Sequence, residues 1–205
     1  MTAAQPLVAQ RLAALGTATL GEAWPAAGLV AAPLRALAPG MVMAGPARTV
    51  RCQPGDNLAL HLAMAEAQPG EVLVVDYGGS VGSGPFGEIM ALACQVRGIA
   101  GMVIDGAVRD SAQIAGLGFP VFARGLNIRG TAKADRGQIG APVTIGGVTI
   151  ATGDIVLADA DAILVLAAAD LTPALAAAEA RAGKEALIMD RLRAGESTLF
   201  ILGLT

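Results

Sequence analysis

Two short apolar runs, VLVVD at Val72 to Asp76 and GMVID at Gly101 to Asp105, constrain this chain more than any other feature. Helical periodicity fills Glu88 to Val96 between them and Ser111 to Leu117 after the second, and a third β-rich run follows at Val121 to Ala123. Strands joined through a crossover helix run parallel. A parallel sheet is covered on both faces, so its strands are apolar throughout and do not alternate, as these do not. The expectation is an α/β fold.

The flanks extend this core. Leu7 to Leu15 carries helical spacing, and Leu20 to Ala26 reads as a short second helix ended near Pro25. Met41 to Cys52 reads as a strand broken at Gly45-Pro46, and Asn57 to Ala67 as a helix. After Ala132, short β runs alternate with Gly and Asp turns, which predicts a second, hairpin-rich sheet packed beside the first. A long Ala-rich helix follows from about Leu171 to Ala194, interrupted at Gly183, and Leu199 to Leu202 is expected to dock as a last strand. With 205 residues, no linker and no repeat, one domain over 1–205 is expected.

Composition narrows the function. The formal net charge is −3 and no two Lys or Arg residues are adjacent, so there is no electrostatic footprint for nucleic acid or anionic membrane. Apolar stretches such as Ala162 to Ala169 end in aspartates and fall short of the roughly 20 residues of a spanning helix. The opening MTAAQPLVAQRLAALG reads as an amphipathic helix and not a signal peptide, and a cytoplasmic protein is expected. Cys52 and Cys94 lie in apolar segments with no metal-ligand spacing and read as buried free thiols. Asp159 and Asp161 form a DxD that reads as a turn between β runs before it reads as a metal site.

Gly82, Gly84 and Gly87 carry the GxGxxG spacing of a dinucleotide loop. The preceding strand ends near Tyr77, too far upstream for the first glycine to close it, and no second mononucleotide-binding half follows. A smaller anion suits the loop better. The helix beginning at Glu88 offers first-turn N–H groups at Glu88, Ile89 and Met90, a place for a carboxylate or phosphate, although turn glycines on a surface loop give the same pattern.

Arg109 and Asp110 follow the strand Gly101 to Asp105 through a turn at Gly106, at the carboxyl end where α/β sheets place ligands. The Glu88 helix begins on that same edge. Arg offers a planar donor fork for a carboxylate or enolate oxygen. Asp offers a hard oxygen for Mg²⁺ or Mn²⁺, which complete their shells with water and substrate. The alternative for the pair alone is a surface ion pair in which Asp110 caps the following helix.

These residues resemble a family: the class II aldolases acting on 4-hydroxy-4-methyl-2-oxoglutarate and 4-carboxy-4-hydroxy-2-oxoadipate, with their relatives the regulator of ribonuclease activity A. The resemblance spans nearly the whole chain: PGDNLALH from Pro54, the acid-x20-Arg-Asp spacing from Glu88, GxxGxVIDGxVRD from Gly98, GDIVLADADAILVL from Gly153 and RAGEST from Arg193. It implies a compact α/β/β/α sandwich of the swivelling β/β/α type, with parallel and hairpin sheets, assembled as a trimer or a dimer of trimers. It implies that Gly87, Glu88, Ile89 and Met90 bind the pyruvyl group through backbone amides together with Arg109, that Asp110 is the metal ligand, and that His61 binds or activates an anion nearby. Glu88, Glu22 and Glu185 take acidic positions, Glu185 reaching the site from a neighbouring subunit. Glu88 stands where the family often has aspartate, and Gln113 where it often has an acid. For His61, Glu22 and Glu185 the alternatives are a half-buried helix residue and solvated helix charges.

The activity so implied is metal-dependent retro-aldol cleavage of a 4-hydroxy-2-oxo acid to pyruvate, with oxaloacetate decarboxylation through the same enolate. A Schiff-base route is disfavoured because the two lysines, Lys133 and Lys184, lie in polar stretches. The rival is a non-catalytic regulator that binds a ribonuclease or another protein.

Overall fold

The computed structural model describes residues 4–204, so the first three residues of the expected amino-terminal helix lie outside the described residues. Helix α1 (Ala4–Ala23) is followed by strands β1 (Gly28–Leu29), β2 (Arg35–Ala36) and β3 (Met43–Arg51). Then come α2 (Leu58–Glu66), β4 (Val72–Asp76), α3 (Glu88–Val96), β5 (Gly101–Val108), α4 (Ser111–Leu117) and β6 (Val121–Leu126). The second half holds β7 (Gln138–Ile139), β8 (Val143–Ile145), β9 (Val148–Ile150), β10 (Ile155–Ala158), β11 (Ile163–Leu166), α5 (Leu171–Arg193) and α6 (Thr198–Ile201).

Strands β3, β4, β5 and β6 pair parallel in that order, as the two VLVVD-type runs require. The expected break at Gly45-Pro46 is instead a change of partner within one strand. Residues 43–46 pair antiparallel with β10, whereas Ala47 to Arg51 pair parallel with β4. A Cβ on Gly45 would overlap the Gly70 carbonyl, so the corner needs glycine. The second sheet is therefore continuous with the first through β3, with only β8–β9 forming a hairpin of its own.

Three apolar clusters define four layers. Leu60, Met90, Cys94 and Ile114 of α2, α3 and α4 pack on Leu73, Val75, Met102 and Ile104. The other face of those strands, with Val74, Val103 and Phe122, meets Ile145, Val156 and Val165 of β8, β10 and β11. The far face of β10 and β11, with Leu157 and Leu164, is covered by Leu12 and Leu20 of α1 and Leu175 of α5. The order is α/β/β/α, and each fully buried leucine in it contributes roughly 1.5–3 kcal/mol.

Local corrections have local causes. The helix expected at Leu20 to Ala26 is the end of α1, whose one non-helical residue is Gly16 (φ 77°, ψ 165°). There the Asp159 carboxylate accepts the Thr17 N–H at 2.7 Å and the Thr17 hydroxyl at 2.6 Å. Burial raises the pKa of Asp159, but these bonds and those from the Asp161 and Ala162 N–H groups outweigh it and hold it below its ordinary value. The DxD is thus a turn. Gly183 does not interrupt α5, and Leu199 to Leu202 forms no strand, because Ser197 Oγ accepts the Phe200 N–H at 3.2 Å and starts α6. Both cysteines are buried and free, and burial pushes each thiol up to about 12, far from thiolate reactivity. Among the described residues no helix is long and apolar enough to cross a membrane.

Candidate functional site

The expected turn at Gly106 is absent: β5 runs on to Val108, with a register shift against β6 between Ile104 and Ala107. A Cβ on Gly106 would lie 2.9 Å from the Tyr77 ring, so this glycine serves a close approach and not a turn. The extension carries Arg109 to the strand's end, where its N–H donates to the Phe86 carbonyl at 2.9 Å.

Asp110 comes next, at φ 56° and ψ 39°, the one non-glycine residue with positive φ among the described residues. Aspartate tolerates this region better than most residues, yet holding it there still costs on the order of 1 kcal/mol. The strain has a direction. Asp110 precedes α4 but makes no side-chain cap on it. Its Oδ2 instead accepts the Glu88 N–H at the start of α3, at 3.1 Å, and lies 3.7 Å from Arg109 Nε. Both side chains remain open to solvent, at 43% for Arg109 and 41% for Asp110.

The glycine loop makes this closure possible. A Cβ on Gly87 would overlap Asp110 Oδ2, and one on Gly84 would overlap the Asn127 carbonyl and come within 3.1 Å of Arg109 Cβ. Two of the three glycines of the GxGxxG spacing thus admit an arginine-aspartate corner. The expectation of three free amides narrows accordingly. The Glu88 N–H is held by Asp110 and the Met90 N–H by the Gly87 carbonyl at 3.1 Å, whereas that of Ile89 has no acceptor among the described residues. The Ile89 N–H and the Arg109 guanidinium are the donors left open at this corner among the described residues.

Glu88 turns its side chain to solvent in the first turn of α3, where a carboxylate also favours the helix dipole. His61 lies on α2, half-buried, with Nε2 buried and unpartnered. Burial first, and the Lys133 charge second, push its pKa below the ordinary 6.5. Glu22 and Glu185 stand elsewhere within one chain. Arg181 on α5 bridges them, pairing with Glu22 of α1 and, at 2.7 Å, with Glu185. This cluster belongs to the α1–α5 layer, on the far side of both sheets from α3.

Sequence reasoning missed Asn57, whose amide donates to the Pro85 carbonyl at 2.7 Å and joins α2 to the glycine loop. In sequence it stood only as the first residue of a helical pattern and within the PGDNLALH stretch, with no role of its own. A cleft of about 490 Å³ opens beside the carboxyl ends of β3 and β4, lined by Arg51, Gln53, Asp76 and Asp135, and none of the expected site residues lines it.

Asp110 and Glu88 are the residues of this corner that could hold a metal. Asp110 offers Oδ1 while its other oxygen is oriented by a backbone N–H, and Glu88 adds a second carboxylate on the same rim. That suits an ion of the Mg²⁺ type, held by one or two carboxylates and finished by water and substrate.

The comparisons bear on this arrangement. Residues 17–165 match a family model described as RraA-like, Aldolase/RraA. The chain is 43% identical over 122 residues to a putative 4-hydroxy-4-methyl-2-oxoglutarate aldolase of Halalkalibacterium halodurans, which covers 60% of this chain and 58% of that relative, so the chain matches under three fifths of the relative's length. Among solved structures it is similar to a protein described as S-adenosylmethionine:2-dimethylmenaquinone methyltransferase from Geobacillus kaustophilus HTA426, at TM-score 0.70 and 31% identity over 73% of this chain and 93% of that one. It is similar as well to the RNA-processing inhibitor RraA from Thermus thermophilis, at TM-score 0.69 and 29% identity over 73% of this chain and 91% of that one.

Proposed function

The chain belongs to the RraA-like family, Aldolase/RraA, and from that premise we propose that it is a lyase cleaving 4-hydroxy-2-oxo acids, such as 4-hydroxy-4-methyl-2-oxoglutarate or 4-carboxy-4-hydroxy-2-oxoadipate, to pyruvate and a second oxo acid. The observation that carries the reading is the strained Asp110: a left-handed aspartate whose carboxylate is turned away from its own helix and held beside Arg109 by the Glu88 N–H. A surface ion pair has no need of such a backbone. The 43% identity over 122 residues to a protein named as a putative 4-hydroxy-4-methyl-2-oxoglutarate aldolase adds support from outside the chain.

The pyruvyl carboxylate of the substrate meets the Ile89 N–H and the Arg109 fork. A divalent ion, Mg²⁺ or Mn²⁺, held at Asp110 would supply Lewis-acid polarisation of the 2-oxo group. Glu88 orders a water that removes the C4 hydroxyl proton; the C4–O bond becomes a carbonyl, the C3–C4 bond breaks, and its electron pair moves into the C2–C3 bond of a pyruvate enolate. Arg109 stabilises the enolate oxygen, and a proton delivered to C3 from water gives pyruvate. Oxaloacetate reaches the same enolate by loss of CO₂, so decarboxylation accompanies cleavage. In a homotrimer or dimer of trimers, a second copy brings its Glu22 and Glu185, already gathered by Arg181, to this rim as further water-holding carboxylates.

The test is pyruvate release from oxaloacetate and from 4-hydroxy-4-methyl-2-oxoglutarate, with Mg²⁺ or Mn²⁺ and then with EDTA. Metal-dependent release is expected. No release from either substrate under any metal, with recovery of a ribonuclease in a pull-down, overturns the lyase in favour of a non-catalytic regulator.

A further inference from the structure

Asparagine before the first residue of a helix ordinarily caps it. Asn57 does not: α2 begins at Leu58, Asn57 makes no side-chain cap, and the Leu58 N–H goes to Asp56 Oδ1 at 2.8 Å. Its side chain, in a residue only 5% exposed, instead crosses to another segment. The carboxamide nitrogen donates to the Pro85 carbonyl at 2.7 Å and lies 3.7 Å from Met90 Sδ.

That destination is the turn which carries α3. Three consecutive carbonyls there are each held from a different direction: Pro85 by Asn57, Phe86 by the Arg109 N–H at 2.9 Å, and Gly87 by the Met90 and Ala91 N–H groups at 3.1 and 3.0 Å. Two of these carbonyls, Phe86 and Gly87, are held by backbone N–H groups alone. Asn57 is the one side chain among the three. Its own oxygen Oδ1 is buried and without a partner among the described residues, and so is His61 Nε2 one turn further along α2. A buried acceptor left unpaired is unfavourable, and asparagine used as a cap would have been favourable. Stability alone does not account for this residue.

We propose that Asn57 is the positioning residue of the anion cradle: its amide fixes the height of the Pro85–Gly87 turn and thereby sets the α3 amino terminus against Arg109. The inference rests on the reading of that cradle as the pyruvyl-binding site. Asn57 does not touch substrate in this account; it acts through the Pro85 carbonyl on Ile89 N–H and on the Arg109 backbone.

Asn57→Ser and Asn57→Asp test it, since both residues are good caps for α2 and neither can donate the amide N–H to Pro85. Oxalate, shaped like the pyruvate enolate, is the probe, titrated by calorimetry with and without Mg²⁺ and compared with steady-state kinetics. Wild type that binds no oxalate fails the cradle reading itself. If wild type binds, folded variants are expected to bind at least roughly tenfold more weakly and to lose kcat/KM mainly through KM, because misplaced donors weaken both ground and transition states. Oxalate binding within twofold of wild type by a folded variant overturns the role. Loss of the fold in both variants makes Asn57 a structural residue and overturns it too.

Discussion

Arg109 with Asp110, and Arg181 with Glu22 and Glu185, are both arginine-carboxylate clusters, yet they are built in opposite ways. The first is fixed by backbone. Asp110 is locked left-handed, its Oδ2 sits on the Glu88 N–H, and the Arg109 N–H is tied to Phe86. The second consists of side chains meeting across the surface of α1 and α5, with Glu22 64% exposed and the Arg181–Glu185 pair in i,i+4 spacing. Exposed pairs of that kind contribute about 0–1 kcal/mol and rearrange freely. The difference teaches which cluster has a direction of its own: the first can aim charge at a ligand from a single chain, and the second needs another surface to fix it.

The sharpest break would come at Asp110. Asn at position 110 tolerates the left-handed region and keeps an oxygen for the Glu88 N–H, so Asp110→Asn removes charge and little else. The melting temperature is expected to stay within a few degrees while pyruvate release falls at least roughly 100-fold. Release near wild type would leave the strained carboxylate without a chemical purpose. Arg109→Lys follows, with kcat/KM lower by at least roughly tenfold because the planar fork is lost. Gly87→Ala attacks the same corner from the loop: at φ −148° the backbone accepts alanine, so the injury is the methyl against Asp110 Oδ2, with Arg109 Cγ and Nε each 3.0 Å away. A stability loss of about 1–3 kcal/mol by denaturant titration, with turnover down by several-fold, is expected.

Much of this corner was legible in the sequence, and the reason is punctuation. The bounds of β4, α3 and α4 follow from runs closed by Asp76, Gly87 and Gly118, each a local signal. The Arg109–Asp110 placement followed from chain order alone. What stayed hidden depends on contacts distant in sequence: the change of partner of β3 at Gly45-Pro46, the approach of Tyr77 to Gly106, and the amide of Asn57 on Pro85. A side chain that leaves its own helix to hold a turn 28 positions away leaves no periodic trace. The free amide of Glu88 was overcounted for the same reason, since its acceptor Asp110 is set by tertiary structure, whereas the Met90 N–H is taken locally by the Gly87 carbonyl.

On the other cluster the expected effects are smaller. Arg181→Ala frees Glu22 and Glu185 at a cost below about 1 kcal/mol, so the melting temperature moves by no more than about 4 °C. If the carboxylates of this cluster serve a second copy, turnover falls more than stability does, and an unchanged rate confines the cluster to surface charge.

The smallest effect concerns His61, which lies between the two regimes: half-buried, on the helix that Asn57 begins. It is the chain's one histidine, so its ring proton signal can be followed by NMR without assignment. Burial, with the Lys133 charge adding to it, puts its folded-state value below the ordinary 6.5. The unfolded chain therefore takes up the proton first as pH falls. In the window from 6.5 down to the folded-state value the unfolded state binds more protons, so stability decreases as pH is lowered and is fully restored above that window. The expected observation is a titration midpoint below 6.5 and a decline in melting temperature below that pH which His61→Gln abolishes. A midpoint above 6.5 would mean that a carboxylate reaches the imidazole and outweighs both burial and the Lys133 charge.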